Sequence, residues 1–505
     1  SSPPPSPAPD SLCTPLSRPA PAPGRAIAHI GLGNFSRAHL ASYVNDYLCI
    51  IGASEWGIVG IDRDTPRTQE MQAFLRGSGF VYPITALAGD VEARVECRAV
   101  VDLVNMGAEP EAAVAVLADP QTRIVSMTVT EKGYYCDIKS GALRMNAELQ
   151  HDLSRDGAAR PRSMHGLVAQ ALKQRMEAGL PGVTLMSLDN VPGNGRILRK
   201  ALMQFLELAD IPGLIEWAEV NVSFPCSMVD RITPNTANAA DDVATEPYRQ
   251  WVLEDDFVNG RPLFEVLPPS AGLILTRDVL PYEHMKTRLL NGAHSALAYL
   301  SYLAHHRNVD HALADPRVQL FVRAYLRETA TTVHAVPGIS LELYQATLLA
   351  RFSNPRISDM IVRLCEDGSM KASSFWKPVI EDHLAADRPI SMICLAVAGW
   401  IRYSLGVDER GEAIPVKDPA LAHVLEPLAR VAFEHGDVRP FLEAAFGPEV
   451  ARAESFVEEV ARWHSMIKDN GVVSLLEGVT QALAQVSNAV ESYAEGEVQG
   501  IRVIM

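Results

Sequence analysis

The segment Lys286-Thr-Arg-Leu-Leu-Asn291-Gly-Ala-His294 sets an ammonium, an amide and an imidazole in a stretch whose apolar residues recur at helical spacing. At about 100° per residue, Lys286 falls on one stripe with Leu290, Ala293 and Leu297. Arg288 faces the opposite way, and Asn291 and His294 flank the stripe. Burying an ammonium is costly, and desolvation lowers its pKa toward the range where a neutral amine accepts protons. The chemistry this suits is general-base catalysis. The competing interpretation is a lysine whose stem covers the core while its head reaches water. The flanking Asn and His favour a site.

Two further polar groups follow apolar strand candidates. Asp189-Asn190-Val-Pro-Gly-Asn194-Gly comes directly after Val183 to Leu188. Ligands of open parallel sheets bind beyond the carboxyl ends of strands, where Asn190 could donate to an oxygen that gains charge during reaction. Ordinary turn chemistry is the alternative, and it suits Asn194 better. Asp230, in Phe224-Pro-Cys-Ser-Met-Val-Asp230-Arg231, is placed in the same way, with Arg231 a possible ion-pair partner.

A nucleotide site is suggested by Gly31-Leu-Gly33-Asn34-Phe35-Ser36, which follows a strand candidate and opens a helix. Glycines there let the backbone approach a pyrophosphate. Ser36 stands where the third glycine of the fingerprint would be, so placement in a β-α-β unit carries the inference. Arg37 and His39 could reach phosphate or could be solvated polar residues of the helix. Asp62, at the end of the second strand candidate, could accept from adenosine ribose hydroxyls and repel a 2′-phosphate, which favours NAD over NADP. Asp64 competes for that role, and a solvated loop acid is the plain alternative for either. No metal site is expected: His305 and His306 point to different helix faces, and no H-E-x-x-H or cysteine cluster is present. A G-x-S-x-G elbow and a Walker lysine are also missing.

The elements that must position these groups divide into two. Strand candidates at 26–30, 56–61, 91–104, 123–129, 183–188 and 220–224 alternate with helical stretches at 36–50, 110–117, 167–177 and 196–208. Such alternation predicts an α/β, Rossmann-type domain with a parallel sheet covered on both faces, over residues 25–280. From Pro281 helical segments follow one another (282–305, 318–333, 341–351, 391–404, 451–468 and 473–486), predicting a mostly α-helical domain over 281–505. Residues 1–24, rich in Pro, Ser and Ala, read as a disordered arm or as what remains of a targeting sequence.

With 45 Lys+Arg against 61 Asp+Glu the net charge is -16, which disfavours nucleic acid and anionic membranes as partners. Seven cysteines without C-x-x-C spacing suggest free thiols in a reducing compartment, hence a cytoplasmic protein.

Several long motifs, in order, resemble the polyol-specific long-chain dehydrogenases. They are Ile-Ala-His-Ile-Gly-Leu-Gly-Asn-Phe-Ser-Arg-Ala-His (27–39), Thr-Val-Thr-Glu-Lys-Gly-Tyr (128–134) and Ser-Leu-Asp-Asn-Val-Pro-Gly-Asn-Gly (187–195). Phe-Pro-Cys-Ser-Met-Val-Asp-Arg-Ile-Thr-Pro (224–234), Trp-Val-Leu-Glu-Asp (251–255) and Met-Lys-Thr-Arg-Leu-Leu-Asn-Gly-Ala-His (285–294) complete the set. The resemblance implies a metal-independent enzyme moving hydride between a polyol or ketose and NAD, with NADP the other option, acting as a monomer. It implies Lys286 as the base and Asn190 and Asn291 as holders of the reacting oxygen. Asp230 and His294 would position substrate, and Arg363 and Lys371 would lie near its hydroxyls. Gly31, Gly33, Asn34, Phe35, Arg37 and Asp62 would bind cofactor, joined by Thr130 and by Glu131, which matches a glutamate near the proton exit. The loop after Ile61 departs from the family pattern, as do the arm and the tail from Ser487. Arg351-Phe-Ser-Asn-Pro and the stretch through Lys371 look more like members acting on mannitol and fructose than like hexuronate reductases or arabinitol dehydrogenases. A nucleotide-binding protein without catalysis is the non-enzyme alternative.

Overall fold

The computed structural model describes residues 23–52, 54–89, 91–138, 140–234 and 241–502. The arm expected over 1–24 lies, up to residue 22, outside them. The chain forms two compact units, divided between Leu280 and Pro281.

The first unit is built on six parallel strands: β1 (Ile27–Ile30), β2 (Ile58–Asp62), β3 (Val100–Asn105), β4 (Ile124–Met127), β5 (Val183–Ser187) and β6 (Val222–Ser223). Their order is β3-β2-β1-β4-β5-β6, the Rossmann arrangement, with the order reversing between β1 and β4. Period-2 alternation explains why both faces are covered. Ala28 and Ile30 of β1 pack with Val59 and Ile61 of β2 in one core, beneath helices that include Pro110–Ala118, Met164–Glu177 and Asn194–Ala209. Ile27 and Ile58, paired in register, belong to the core on the other face with Tyr43 and Trp251. The α/β class expected from the sequence is the one found.

Three details differ from expectation. The run 91–104 is two strands: Val91–Cys97 pairs antiparallel with Tyr82–Ala88 in a separate sheet, and only Val100–Asn105 joins the main one. Exposed charges at Glu92 and Glu96 mark Val91–Cys97 as a half-solvated strand, unlike the buried strands of the parallel sheet. Helix 36–50 is two helices, Asn34–Ala38 and Leu40–Ile51, broken at His39 (φ −102, ψ −82). Cys49 is disulfide-bonded, against the free thiols expected throughout, whereas Cys97, Cys136, Cys226, Cys365 and Cys394 are free. A third sheet sets Gln250–Glu254 between Ser227–Asp230 and Leu273–Thr276.

The second unit is helical. Leu280–Met285 runs into a π-helical turn, Lys286–Asn291, and then into Gly292–Leu303. Around these pack helices such as Pro316–Ala330 and Ser391–Tyr403, and against those two packs a last run, Glu454–Arg502, interrupted at Gly471 (φ +76). Among the described residues no helix is long and apolar enough to cross a membrane.

Burial holds three histidines of the first unit uncharged. It lowers the pKa of His29 and of His165 from 6.5 to about 4, and that of His39 to about 3. Above pH 6.5 these rings are neutral whether the chain is folded or not. Below it, the unfolded chain takes up protons that the folded protein refuses, so stability falls as pH drops. The melting temperature is therefore expected to decline from pH 6.5 toward pH 4, and less steeply in His165→Phe, as followed by circular dichroism. An equal slope in that variant would remove His165 from the effect.

Candidate active site

At the carboxyl end of β1 the chain reverses through Gly31 (φ +88). A Cβ there would lie 2.2 Å from the carbonyl oxygen of Thr128, just past the end of β4, so no side chain fits. Thr128 Oγ1 donates to the Gly31 carbonyl at 2.6 Å. His29 supports the same corner, with Nε2 3.1 Å from Thr128 Oγ1 and Nδ1 2.8 Å from Ser126 Oγ. Gly33 is glycine for a different reason. Its backbone is extended (φ −92, ψ −171), and nothing but the Gly31 carbonyl, at 3.9 Å, lies near where a Cβ would be. The protein leaves that space open, as a turn that receives a pyrophosphate requires.

Asn34 is buried, and its Oδ1 accepts from Arg37 Nη2 at 2.9 Å and from Arg67 Nη2 at 2.7 Å. Phe35 stacks on His39 with ring centroids 4.9 Å apart. Arg37 is fully buried against the Tyr82 ring, and burial lowers its pKa, so it braces the turn through Asn34 instead of presenting charge outward. His39 is a core residue: Nε2 lies 3.1 Å from the Gln250 carbonyl, and Tyr43 and Trp251 meet its ring edge-on. It is neither solvated nor directed at phosphate.

Asp62 ends β2 half-buried, its Oδ1 accepting from the Arg63 amide at 2.8 Å. Burial raises its pKa, while Arg67 and Arg63 oppose the rise. Asp64 Oδ1 accepts from Asn105 Nδ2 at 2.7 Å and from Gln69 Nε2 at 2.8 Å.

Beyond β4 and β5, Thr130, Glu131 and Asn190 are exposed while Asp189 is buried behind them. Asn194 is structural: its Nδ2 donates to the Asp189 carbonyl at 3.0 Å and to the Ser227 carbonyl at 2.9 Å. It thereby ties the Asn190 loop to the strand Ser227–Asp230, whose last residue, Asp230, is buried. Arg231 donates to the carbonyls of Ala38 and Glu246 and to Ser42 Oγ.

In the second unit Lys286 is buried together with Leu290, Ala293 and Leu297, as the stripe required. Lys286 and Asn291 stand at the two ends of the π-helical turn. Arg288 is not solvated: Nη1 donates to the Thr332 carbonyl at 2.7 Å and pairs with Asp382. His294 lies flat on Phe352, ring centroids 4.1 Å apart. Its helix packs against Ile361–Cys365, which carries Arg363. Arg363 is ion-paired with Asp359 at 2.7 Å, and Lys371 Nζ donates to the Leu364 carbonyl at 2.9 Å. Among the described residues no group of three or more His, Cys, Asp or Glu is placed to hold a metal.

Residues 25–266 match the family model described as mannitol dehydrogenase Rossmann domain, and residues 278–468 match mannitol dehydrogenase C-terminal domain. The chain belongs to the mannitol dehydrogenase family. It is 34% identical to mannitol 2-dehydrogenase of Pyrenophora tritici-repentis over 90% of this chain and 81% of that one. It is 37% identical to D-mannonate oxidoreductase of Escherichia coli over 78% of this chain and 83% of that one. Pseudomonas fluorescens mannitol 2-dehydrogenase, solved as a ternary complex with NAD and D-mannitol, superposes with a TM-score of 0.78 at 35% identity. That match covers 91% of this chain and 95% of that one. A member of this family is an oxidoreductase with a Rossmann domain.

Within the first unit of this family member, the structure gathers Gly31, Gly33, Thr130 and Asn190 at the carboxyl ends of β1, β4 and β5. Sequence inspection gave no role to His29, Thr128, Tyr134 or Asp189. A polar residue at the carboxyl end of a buried strand was the available signal.

The two glycines are expected to fail differently. Gly31→Ala meets both a left-handed backbone and a carbonyl, and should destabilise the fold by about 2 kcal/mol or more in denaturant titration. Gly33→Ala should change stability by no more than about 0.5 kcal/mol, yet weaken dinucleotide binding, because its methyl enters the open space. Unchanged dinucleotide affinity in Gly33→Ala would show that the turn does not receive the pyrophosphate.

Proposed function

We propose that the protein interconverts a polyol and its ketose, D-mannitol and D-fructose first among them, with NAD and without a metal ion. The observation that carries the mechanism is the buried Lys286 at the head of a π-helical turn that ends at Asn291. Oxidising an alcohol requires the hydroxyl proton to leave as hydride leaves carbon. A bound nicotinamide cofactor supplies the hydride acceptor. Lys286 Nζ takes the hydroxyl proton, and the amides of Asn291 and Asn190 donate to the oxygen as it gains charge. Asp230 and His294, the latter held flat by Phe352, orient substrate hydroxyls, and Arg363 and Lys371 contact the more distant ones. Gly31, Gly33, Asn34 and Phe35 form the dinucleotide turn, Arg37 supports it through Asn34, Asp62 accepts from the ribose, and Thr130 and Glu131 border it.

The 37% identity to a D-mannonate oxidoreductase makes a hexuronate the second reading. A carboxylated substrate needs cationic attraction. Arg363 is already paired with Asp359, and burial lowers the pKa of Lys371. A neutral polyol fits that arrangement better. A spectrophotometric scan with NAD and NADP should find activity on mannitol and fructose above that on mannonate and fructuronate. Inactivity on all four, and on arabinitol, would leave a nucleotide-binding protein without catalysis.

Two substitutions test the assigned roles. Asp62→Ala should weaken NAD and relieve repulsion of NADP. An unchanged NAD to NADP ratio of kcat/KM would move the ribose acceptor elsewhere. Lys286→Ala should lower kcat for polyol oxidation by roughly 10²–10⁴-fold and abolish the rise of kcat/KM with pH that a base's deprotonation gives. Near-wild-type kcat with an unchanged pH profile would make Lys286 a structural residue.

A further inference from the structure

The Asp189 carboxylate is buried and fully engaged. Oδ2 accepts from the Val129 amide at 3.1 Å and from the Tyr134 hydroxyl at 2.9 Å, and Oδ1 accepts from the Thr130 amide at 2.9 Å. Tyr134 also hydrogen-bonds Ser187 at the end of β5. Asp189 thus belongs to the loop after β5 and spends all three contacts on the segment that leaves β4. The segment needs holding. Thr130 is β-branched yet sits at φ +61, a left-handed conformation that persists in such a residue only where its surroundings impose it. Two consecutive amides pinned on one carboxylate impose it.

The constraint extends to the glycine turn. Thr128 directly precedes the two pinned amides, and it is Thr128 whose carbonyl closes on Gly31 and whose hydroxyl donates to the Gly31 carbonyl at 2.6 Å. Loosening Val129 and Thr130 therefore frees the wall against which the turn is set.

We infer that Asp189 is a positioning residue for dinucleotide binding: it fixes the left-handed Thr130 turn and, through Thr128, the Gly31 turn in the geometry that receives the cofactor. The inference rests on the dinucleotide reading given above. A charged acceptor is required, since an amide in its place can accept through only one atom and turns a donor toward a donor. Burial raises the pKa of Asp189, and the two amides and the Tyr134 hydroxyl oppose that rise.

The test is direct NAD binding, read by calorimetry or by quenching of intrinsic fluorescence, with melting temperatures measured alongside. Wild-type protein that fails to bind NAD or NADP would sink the dinucleotide reading and this inference with it. Given wild-type binding, Asp189→Asn should raise the Kd for NAD about tenfold, the size of one lost hydrogen bond to a charge. Leu202→Ala, a fully buried core truncation in the helix Asn194–Ala209, should lower the melting temperature while leaving Kd within about twofold. Tyr134→Phe removes one of the three contacts and should raise Kd in the same direction by less. A folded Asp189→Asn with wild-type Kd would overturn the inference, as would a Leu202→Ala that raises Kd equally. If Asp189→Asn does not fold, an unchanged Kd in Tyr134→Phe overturns it.

Discussion

The first unit depends on how closely two neighbouring strands end. β1 and β4 run parallel in register from Ile27 opposite Ile124 to Ile30 opposite Met127, and the next residues, Gly31 and Thr128, approach until a Cβ would sit 2.2 Å from a carbonyl oxygen. Parallel strands that close leave the departing chains little choice of direction. One must reverse without a side chain, which Gly31 does at φ +88. The other must be held away, through the hydrogen bonds that Thr128, Val129 and Thr130 make to Gly31 and Asp189. The neutral ring of His29 fills the corner between them, and charging it there would carry a large desolvation cost. A crevice at a topological switch point is thus a consequence of backbone proximity before any ligand is considered.

The second unit meets the opposite difficulty, an amine-bearing side chain that has to enter a helix face made of Leu and Ala. A regular α-helix sets residues three and four apart over one another. The π-helical turn Lys286–Asn291 widens the spiral at this point, so the Lys286 and Asn291 side chains leave it at angles that a 3.6-residue period would not give. Such turns sacrifice hydrogen-bond geometry and persist where neighbours hold them. Here Arg288, inside the turn, is anchored on the Thr332 carbonyl and on Asp382. Arg288, on the side of the helix away from the Lys286 stripe, thereby ties the distorted segment to Thr332 and Asp382.

Residue spacing made the parallel sheet and the helical second unit legible, because each follows from periodicity or from a run of apolar residues, and Lys286 is buried as a 100° wheel expects although the π-helical turn departs from that period. What spacing could not show was partnership over long sequence separation. The contacts of Asp189 to Val129 and Thr130 span about sixty residues, and nothing local distinguishes Asp189 from an ordinary turn acid. The same limit hid the fate of His39 and Arg37. Both lie where a phosphate ligand would be sought, and both are buried by elements far along the chain, His39 against Gln250 and Trp251 and Arg37 against Tyr82. The π-helical turn was hidden for another reason: a 100° wheel assumes the regularity that the turn abandons.

The break at His39 follows from these long-range contacts. Helix Asn34–Ala38 is short, and its end is buried where water cannot satisfy the carbonyls that a terminating helix exposes. The carbonyls of Arg37 and Ala38 instead accept from the Tyr82 hydroxyl, at 3.2 Å, and from Arg231. A guanidinium at a helix carboxyl terminus also meets the negative end of the dipole. With its last carbonyls taken, the helix need not continue into Leu40–Ile51, and the two segments adopt independent directions. The first can then follow the glycine turn while the second packs its Tyr43 and Val44 into the core. Arg231 is also the residue after Asp230, so the guanidinium that ends this helix fixes the end of the strand Ser227–Asp230. One buried arginine sets both the helix that leaves the nucleotide turn and the carboxylate proposed to orient substrate, which couples the placement of the two.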